Sequence, residues 1–184
     1  RVLRVGPARE IKRPSAAAAI ARDGDVIEID AGNYDGDAAS WSQNGLTIRG
    51  VGGRAHLRAN GAHAEGKAIW VIDGDDTTVE RIRFTRAAVP DKNGAGIRLT
   101  GGTLTVEATA HHSSGTPRLL EMTAVNLVQN VAVAGVVITM RDVTATHSLQ
   151  RQLSFRADHD ELTGLANRAQ FLSRLTRELA GHQR

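Results

Sequence analysis

The sequence predicts a mainly β fold, in which a short parallel β-solenoid with a helix at its start precedes a three-stranded antiparallel sheet and C-terminal helices. Short β-prone runs begin near residues 26, 47, 69 and 96, so one turn of the solenoid takes roughly 20 to 25 residues. Dipeptides that favour positive φ separate these runs. After residue 103 the runs lengthen and lie closer together, which is typical of an antiparallel meander.

The first predicted element is a short helix over residues 15–24. Ser15 is a favourable N-cap, the alanines that follow it have high helix propensity, and Gly24 suits a left-handed stop. The exposed first coil of a solenoid needs a cap, and we expect this helix to supply it.

Five short strands follow the helix. Their segments are VIEID at 26–30, LTIRG at 46–50, AIWVI at 68–72, TVERIRF at 78–84 and GIRLT at 97–101. The turn dipeptides between them are Asn44-Gly45, Asn60-Gly61, Asp73-Gly74 and Asn93-Gly94. An antiparallel sandwich would also have short strands, but its usual spacing of roughly 8–12 residues is mostly missing. The spacing therefore favours parallel coils.

The C-terminal part begins with longer strands and ends in helices. The strands are predicted at 103–112, 117–127 and 131–143. A helix is predicted from Thr144 to about Asp158, with Thr144 as its N-cap and with Leu149 and Leu153 on one face. A further helix is predicted over residues 167–179, because its apolar side chains recur at helical spacing.

The composition excludes several classes of protein. The 184 residues include no cysteine, so neither a disulfide scaffold nor a thiolate metal site can form. No apolar run approaches the roughly 20 residues of a membrane span, so we expect no membrane partner. The formal charge is only +3, and the pI is about 9.9 because 20 of the 23 basic residues are arginine. Since both halves share this small excess, we expect no nucleic-acid partner.

The N-terminal half carries a family resemblance. The segments IKRPSAAAAIARDGDVIEIDAGNY, WSQNGLTIRGVGG and GKAIWVIDGDDTTVERIRFTRAAVPDKNGAGIR resemble the N-terminal portion of bacterial right-handed parallel β-helix proteins of the pectin-lyase-like superfamily. The resemblance covers about residues 2–100 and implies three or four coils behind a cap helix.

The C-terminal half resembles two signalling domains. LLEMTAVNLVQNVAVAGVVITMRDVT is similar to the last two strands of a PAS sensor domain and ends on its Asp-x-Thr motif at Asp142 and Thr144. LQRQLSFRADHDELTGLANRAQFLSRL resembles the connecting helix and opening segment of a GGDEF diguanylate cyclase domain, most closely at 159–168. That family usually has Pro where Ala166 stands.

These resemblances divide the chain into four parts. Residues 1–102 are a partial parallel β-helix, 103–143 the C-terminal half of a PAS-like domain, 144–158 a signalling linker helix and 159–184 the start of a GGDEF domain. The leading hypothesis is a non-catalytic sensory and linker fragment of a cyclic-di-GMP signalling protein, in the cytoplasm. The alternatives are a carbohydrate-binding or polysaccharide-processing β-helix fragment, which would favour export, and a chimeric fragment without a coherent function.

The resemblance implies no catalytic and no cofactor-binding residue in this chain. The sequence contains neither the metal-binding carboxylate of the cyclase's first strand nor its Gly-Gly-Asp/Glu-Glu-Phe hairpin. Magnesium and GTP therefore belong to the resembled parent, a diguanylate cyclase. By the same resemblance, Asp142, Thr144, Asp160 and Thr163 are signal-transmission points, with simple helix capping as the alternative role.

Three further sets of residues are candidate binding sites. Asp73, Asp75 and Asp76 offer oxygen ligands for calcium, although Asp-Gly turns are common for backbone reasons alone. Trp41 and Trp70 offer rings on which a sugar can stack, although packing between coils is the favoured interpretation. Linker helices of such signalling proteins pair as short coiled coils, which makes Leu149 and Leu153 candidates for a homodimer seam.

Overall fold

The computed structural model describes residues 1–90, 92, 94–111, 115–160, 163–168, 170–172 and 175. It divides into two compact units, which we call the solenoid unit, Arg1–Arg141, and the helical unit, Asp142–Arg184. The elements in chain order are β1 Val2–Val5, α1 Pro14–Ala18, β2 Val26–Asp35, β3 Ala39–Trp41, β4 Thr47–Arg58, β5 Ala68–Ile72, β6 Thr77–Glu80, β7 Ile82–Thr85, β8 Ala95–Leu99, β9 Thr103–His111, β10 Pro117–Leu127, β11 Gly135–Asp142 and α2 Thr144–Asp158.

The solenoid unit is a stack of about four turns, so the predicted mainly β solenoid is confirmed. Strands β1, β2, β4 and β6 pair side by side in parallel, and β3, β5 and β8 form a second parallel sheet. The register stacks one apolar side chain per turn on the next, in the column Leu3, Ile27, Ile48, Val79 and Val106. Such columns make a continuous core that no single turn could bury alone.

Aromatic side chains occupy the centre of this core. Trp41 and Trp70 are fully buried, and their ring centroids lie 5.3 Å apart in an edge-to-face arrangement. Phe84 meets Trp70 in the same manner at 5.0 Å. Edge-to-face pairs at this distance are worth about 0.5–1.5 kcal/mol beyond the area that they bury.

Several strands differ in extent from the prediction. β2 and β4 run on through a bend, and a register shift between Asp30 and Gly32 lets their second halves pair as well. The predicted strand at 78–84 is two strands, because Arg81 has a φ of +54° and breaks the pairing with β4. The short strands β1 and β3 were not predicted, since four and three residues give too little alternation to detect.

Helix α1 is shorter than predicted, and its N-cap is different. It covers Pro14–Ala18, and Arg13 occupies the N-cap position without a side-chain hydrogen bond. Ser15 is therefore not the N-cap, and its hydroxyl and amide both donate to the buried carboxylate of Asp37. α1 contacts β1 and β3, while its role as a cap stays a prediction.

The C-terminal strands belong to the solenoid's own sheet. β9 pairs in parallel with β6 on one edge and antiparallel with β10 on the other, so the sheet is mixed. The prediction treated 103–143 as a separate antiparallel sheet, but these strands share a sheet with the coils because β9 pairs with β6. The PAS assignment of these strands remains a proposal.

The helical unit begins with α2, whose observed bounds are those predicted. Val143 occupies the N-cap position, and Thr144 is the first helical residue, so the predicted N-cap is shifted by one. After the next turn, the amide of Phe171 donates to the carbonyl of Asn167 at 2.9 Å, and the described residues that follow are helical. The end of that second predicted helix, including Leu179, lies outside the described residues.

Candidate functional site

An apolar cleft of about 620 Å³ lies in the solenoid unit, and we call it the wedge. One wall consists of the last coil, namely Ile82, Phe84, Ile97 and Leu99. The other wall consists of Leu104, Val106, Ala108, Leu119, Met122, Ala124 and Ile138 from β9, β10 and β11. Small-molecule and peptide clefts are commonly of this size and are mostly apolar.

The wedge exists because β9 does not turn into another coil. Its pairing with β6 ends at Val106, and the strand then continues straight into the hairpin with β10. Within the described residues, β7 therefore pairs only with β4, and β8 only with β5. Arg54 spans the gap and donates from Nη2 to Oγ1 of Thr109 at 3.0 Å.

The free edge of β7 presents unpaired peptide groups to this cleft. The carbonyls of Arg81 and Thr85 accept hydrogen bonds from the β4 side, from the amides of Ala55 and Ala59. Peptide groups alternate between the two edges of a strand, so those of Ile82 and Phe84 point away from β4. No strand of the described chain pairs with them.

Positive charge surrounds the same edge, and we call Arg54, Arg81, Arg83 and Arg86 the basic edge. The wedge is lined by three of these arginines and by one acidic residue, Glu107. In the described part of the chain, neither the Arg81 nor the Arg83 guanidinium has a hydrogen-bond or ion-pair partner within the protein. Two cations are thus available to a ligand here.

His56 reports the electrostatic environment of this edge. It lies beside Arg83 in the β4–β7 register, and its Nε2 is 2.8 Å from Oγ1 of Thr85. Desolvation lowers the pKa of His56 below its ordinary value of 6.5, and the positive charges of Arg83 and Arg58 lower it further. Burial and the nearby arginines therefore both favour the neutral imidazole.

Charges elsewhere on the solenoid are paired across coils. Glu28 lies between Arg4 and Arg49 on neighbouring strands, with N–O distances of 3.4 Å and 2.8 Å. The hydrogen bond from Arg49 is the main reason that the pKa of Glu28 is lowered. Asp35 likewise pairs with Arg58 one coil further on, and that contact lowers its pKa. In both cases the register of the coils places opposite charges in neighbouring positions.

The predicted acidic cluster is a structural turn. Asp73 accepts a hydrogen bond from the Thr100 hydroxyl at 3.2 Å, and the amide of Asp75 donates to Asn44 at 2.8 Å. Gly74 is required because a Cβ there would overlap the carbonyl oxygen of Gln43. Among the described residues, no group of three or more His, Asp or Glu side chains is placed to hold a metal ion. The turn interpretation is the one that these contacts support.

The two tryptophans are not a sugar platform. Both Trp41 and Trp70 are 0% exposed, so neither has a ring face that a carbohydrate can reach. The favoured interpretation, packing between coils, is confirmed. Both side chains lie on the core side of their strands, and a carbohydrate partner near these residues stays a prediction.

The four predicted transmission residues form two separate turns in the helical unit. The Oδ1 of Asp142 accepts a hydrogen bond from the amide of Thr144 at 2.9 Å, at the start of α2. The Oδ1 of Asp160 accepts bonds from both the amide and the hydroxyl of Thr163, each at 2.9 Å. The amide of Asp160 donates to the carbonyl of Leu165 at 2.8 Å, which closes the second turn.

Leu149 and Leu153 lie on the surface of α2. Each is 61% exposed, which is what the predicted dimer seam requires. Neither α2 nor any other described helix has the length and hydropathy of a membrane-crossing segment.

Sequence reasoning missed the wedge and the basic edge. Arg81 and Arg83 lie about one coil after Arg54 and His56, and only an alignment of coils brings these residues together. Comparison with protein-family models, with curated proteins and with solved structures finds no match to the chain. The β-helix resemblance is consistent with the solenoid, and the PAS and GGDEF resemblances remain predictions.

Proposed function

We propose that this chain is a non-catalytic sensory and linker segment of a cyclic-di-GMP signalling protein. The observation that carries the proposal is the pair of Asp-headed turns, at Asp142 and Asp160, that precede and follow α2. The parent activity, condensation of GTP with magnesium in the cytoplasm, belongs to a diguanylate cyclase domain that HDELTGLANR resembles. This chain supplies the helix that enters such a domain.

The two turns suit a transmission role because each fixes the backbone at a helix boundary. Asp142 is the last residue of β11, and its carboxylate holds the first helical amide of α2. This bond fixes the backbone at the start of α2. After α2, Asp160 accepts hydrogen bonds from both the amide and the hydroxyl of Thr163.

A transplant experiment tests the transmission role. Residues 103–184 replace the matching segment of a complete PAS–GGDEF cyclase, and cyclic-di-GMP synthesis is measured with and without Asp142→Ala. We expect the substitution to change the regulated activity by about threefold or more, because loss of the hydrogen bond to the amide of Thr144 costs about 1 kcal/mol at the helix start. Gln150→Ala, on an exposed helical position, is the matched control. Equal activity of both variants would contradict the proposal, as would GTP turnover by the isolated chain.

The exposed leucines give the linker a second testable property. Two α2 helices that pair through Leu149 and Leu153 bury four leucine side chains that are otherwise in water. Sedimentation of the chain is expected to show a concentration-dependent dimer. The double substitution Leu149→Glu with Leu153→Glu is expected to weaken it about tenfold or more, and Gln150→Glu with Gln152→Glu adds the same charge as a control. A wild-type chain that stays monomeric would remove the dimer from the proposal.

The two alternatives predict different results. A polysaccharide-binding β-helix lacks the aromatic platform expected of it, because Trp41 and Trp70 are buried. A chimeric fragment without a coherent function predicts no response of the transplanted cyclase to Asp142→Ala and no specific dimer.

A further inference from the structure

We propose that the free edge of β7 and the wedge bind an extended peptide segment in which apolar residues alternate with acidic ones. The segment adds to β7 as a further strand. This inference rests on the solenoid unit alone and does not depend on the proposed signalling function.

The backbone of β7 supplies the directional contacts. The peptide groups of Ile82 and Phe84 point away from β4 and have no strand partner in the described chain. An extended peptide matches this row of donors and acceptors, since an exposed strand edge is a template for strand addition.

The wedge accommodates one face of the added strand. Side chains of a strand alternate between its two faces, so every second residue of the peptide points toward the core. There it meets Ile82 and Phe84 on one wall and Leu104 and Val106 on the other. The volume of about 620 Å³ is sufficient for several aliphatic side chains, and the apolar lining favours them.

The opposite face of the added strand meets the basic edge. Along the coils, the register places Glu28 beside Arg4 and Arg49, and Asp35 beside Arg58. Arg83 lies in a different column, after Asn33 and His56, and no strand of the described chain pairs on its open side. An acidic residue of the peptide beside Arg83 would form a cross-strand pair of the same kind as Glu28 with Arg49, and Arg81 and Arg86 add to the attraction.

Other anionic ligands fit these features less well. The tail of an amphipathic lipid would fill the wedge but leave the peptide groups of Ile82 and Phe84 unpaired, which is costly away from water. An acidic polysaccharide would match the arginines but has no apolar side chains for the wedge. Only a peptide provides the backbone, the apolar face and the charge together.

Fluorescence anisotropy of a labelled synthetic peptide tests the proposal on the full chain. The peptide has about six residues that alternate valine with glutamate. We expect saturable binding that weakens with added salt, and at least about tenfold weaker binding when lysine replaces glutamate. N-methylation of one alternate set of peptide nitrogens should abolish binding, and methylation of the other set should not, because only one edge of the peptide faces β7.

Substitution at the edge provides an independent measurement. Arg83→Glu is expected to weaken the glutamate peptide about tenfold and to strengthen the lysine peptide. Arg22→Glu changes an exposed arginine in the loop before β2 by the same charge and should leave both affinities unchanged. If neither methylation pattern changes the affinity of the peptide, the proposal is overturned. Displacement of the peptide by dodecanoate or polygalacturonate at equal concentration overturns it too. If Arg83→Glu fails to fold by circular dichroism, the methylated peptides with the wild-type chain still decide the question.

Discussion

The strands of the coils and the C-terminal strands β9, β10 and β11 contain similar residues. The side chains of the coil strands are buried to a greater extent. In β2 and β4, every second side chain of the first half is buried in the core. In β11, Val136, Val137, Ile138 and Met140 are all exposed by 40% or more. Both regions contain valine, isoleucine and threonine, which favour extended backbone.

The difference lies in what covers each strand. β2 and β4 have neighbours on both edges, and their buried side chains share one core with those of β3 and β5. β10 and β11 extend the sheet beyond the last strand of that second sheet, β8. Strand propensity therefore determines which residues form extended backbone. Whether their side chains are buried depends on whether the strand belongs to a closed coil. Three substitutions measure how large that difference is.

Of the three substitutions, that of Trp70 should lower the free energy of unfolding the most. Its ring contacts Trp41 and Phe84 in the closed core, so Trp70→Ala leaves a cavity and is expected to cost about 3–5 kcal/mol in the free energy of unfolding. Met140→Ala in β11 removes an apolar side chain that is 65% exposed and should cost less than about 0.5 kcal/mol. Urea unfolding followed by circular dichroism measures both, and similar losses would contradict the comparison.

Removal of the Asp37 carboxylate should have an intermediate effect. It is buried and accepts hydrogen bonds from the amide and hydroxyl of Ser15 at the start of α1. Asp37→Ala leaves these donors without their acceptor and is expected to cost about 1–3 kcal/mol. Glu10→Ala removes an exposed carboxylate and serves as the control in the same denaturation experiment. A smaller loss for Asp37→Ala than for the control would show that α1 does not depend on this contact.

Protonation of His56 should change the free energy of unfolding the least. Because the folded pKa lies below 6.5, the unfolded chain binds more protons than the folded chain as the pH falls below that value. The free energy of unfolding should therefore fall with decreasing pH from about 6.5 down to the folded pKa, and this contribution should be constant below it. In His56→Gln this part of the pH dependence should disappear. An unchanged slope in the variant would assign the titration to other groups.

The sequence predicts those features that depend on neighbours along the chain. The bounds of α2 agree with the structure because the change from alternation to helical spacing is local. The burial of Trp70 follows from its apolar neighbours in β5. The Asp73-Gly74 dipeptide predicts the turn, because both residue types favour turns. It does not predict that Gly74 is required by its contact with the backbone of Gln43, about one coil earlier.

Features that depend on register between coils were not predictable in this way. The break at Arg81 needs a positive φ at an arginine, which residue preferences do not indicate. The basic edge arises because the register pairs Ala55 with Ile82 and so brings Arg54 close to Arg81 and Arg83, whereas a count of charge along the chain shows only an even distribution. The wedge depends on the path of β9 after Val106. Residues with high β propensity can form a strand that turns into another coil or one that continues straight, so propensity does not predict that path.

The stacking of parallel strands also determines how the chain would respond to mechanical force. Neighbouring strands pair in register, so each connection between them begins and ends at matching positions of the stack. A force applied along the stack therefore acts on the strand pairs one after another. Each ladder that ruptures frees one turn, and the steps from Val2 to Val26, Thr47 and Thr78 correspond to about 70–110 Å of extended chain each. Force spectroscopy should record unequal steps in this range, with the longest released by the turn between β4 and β6.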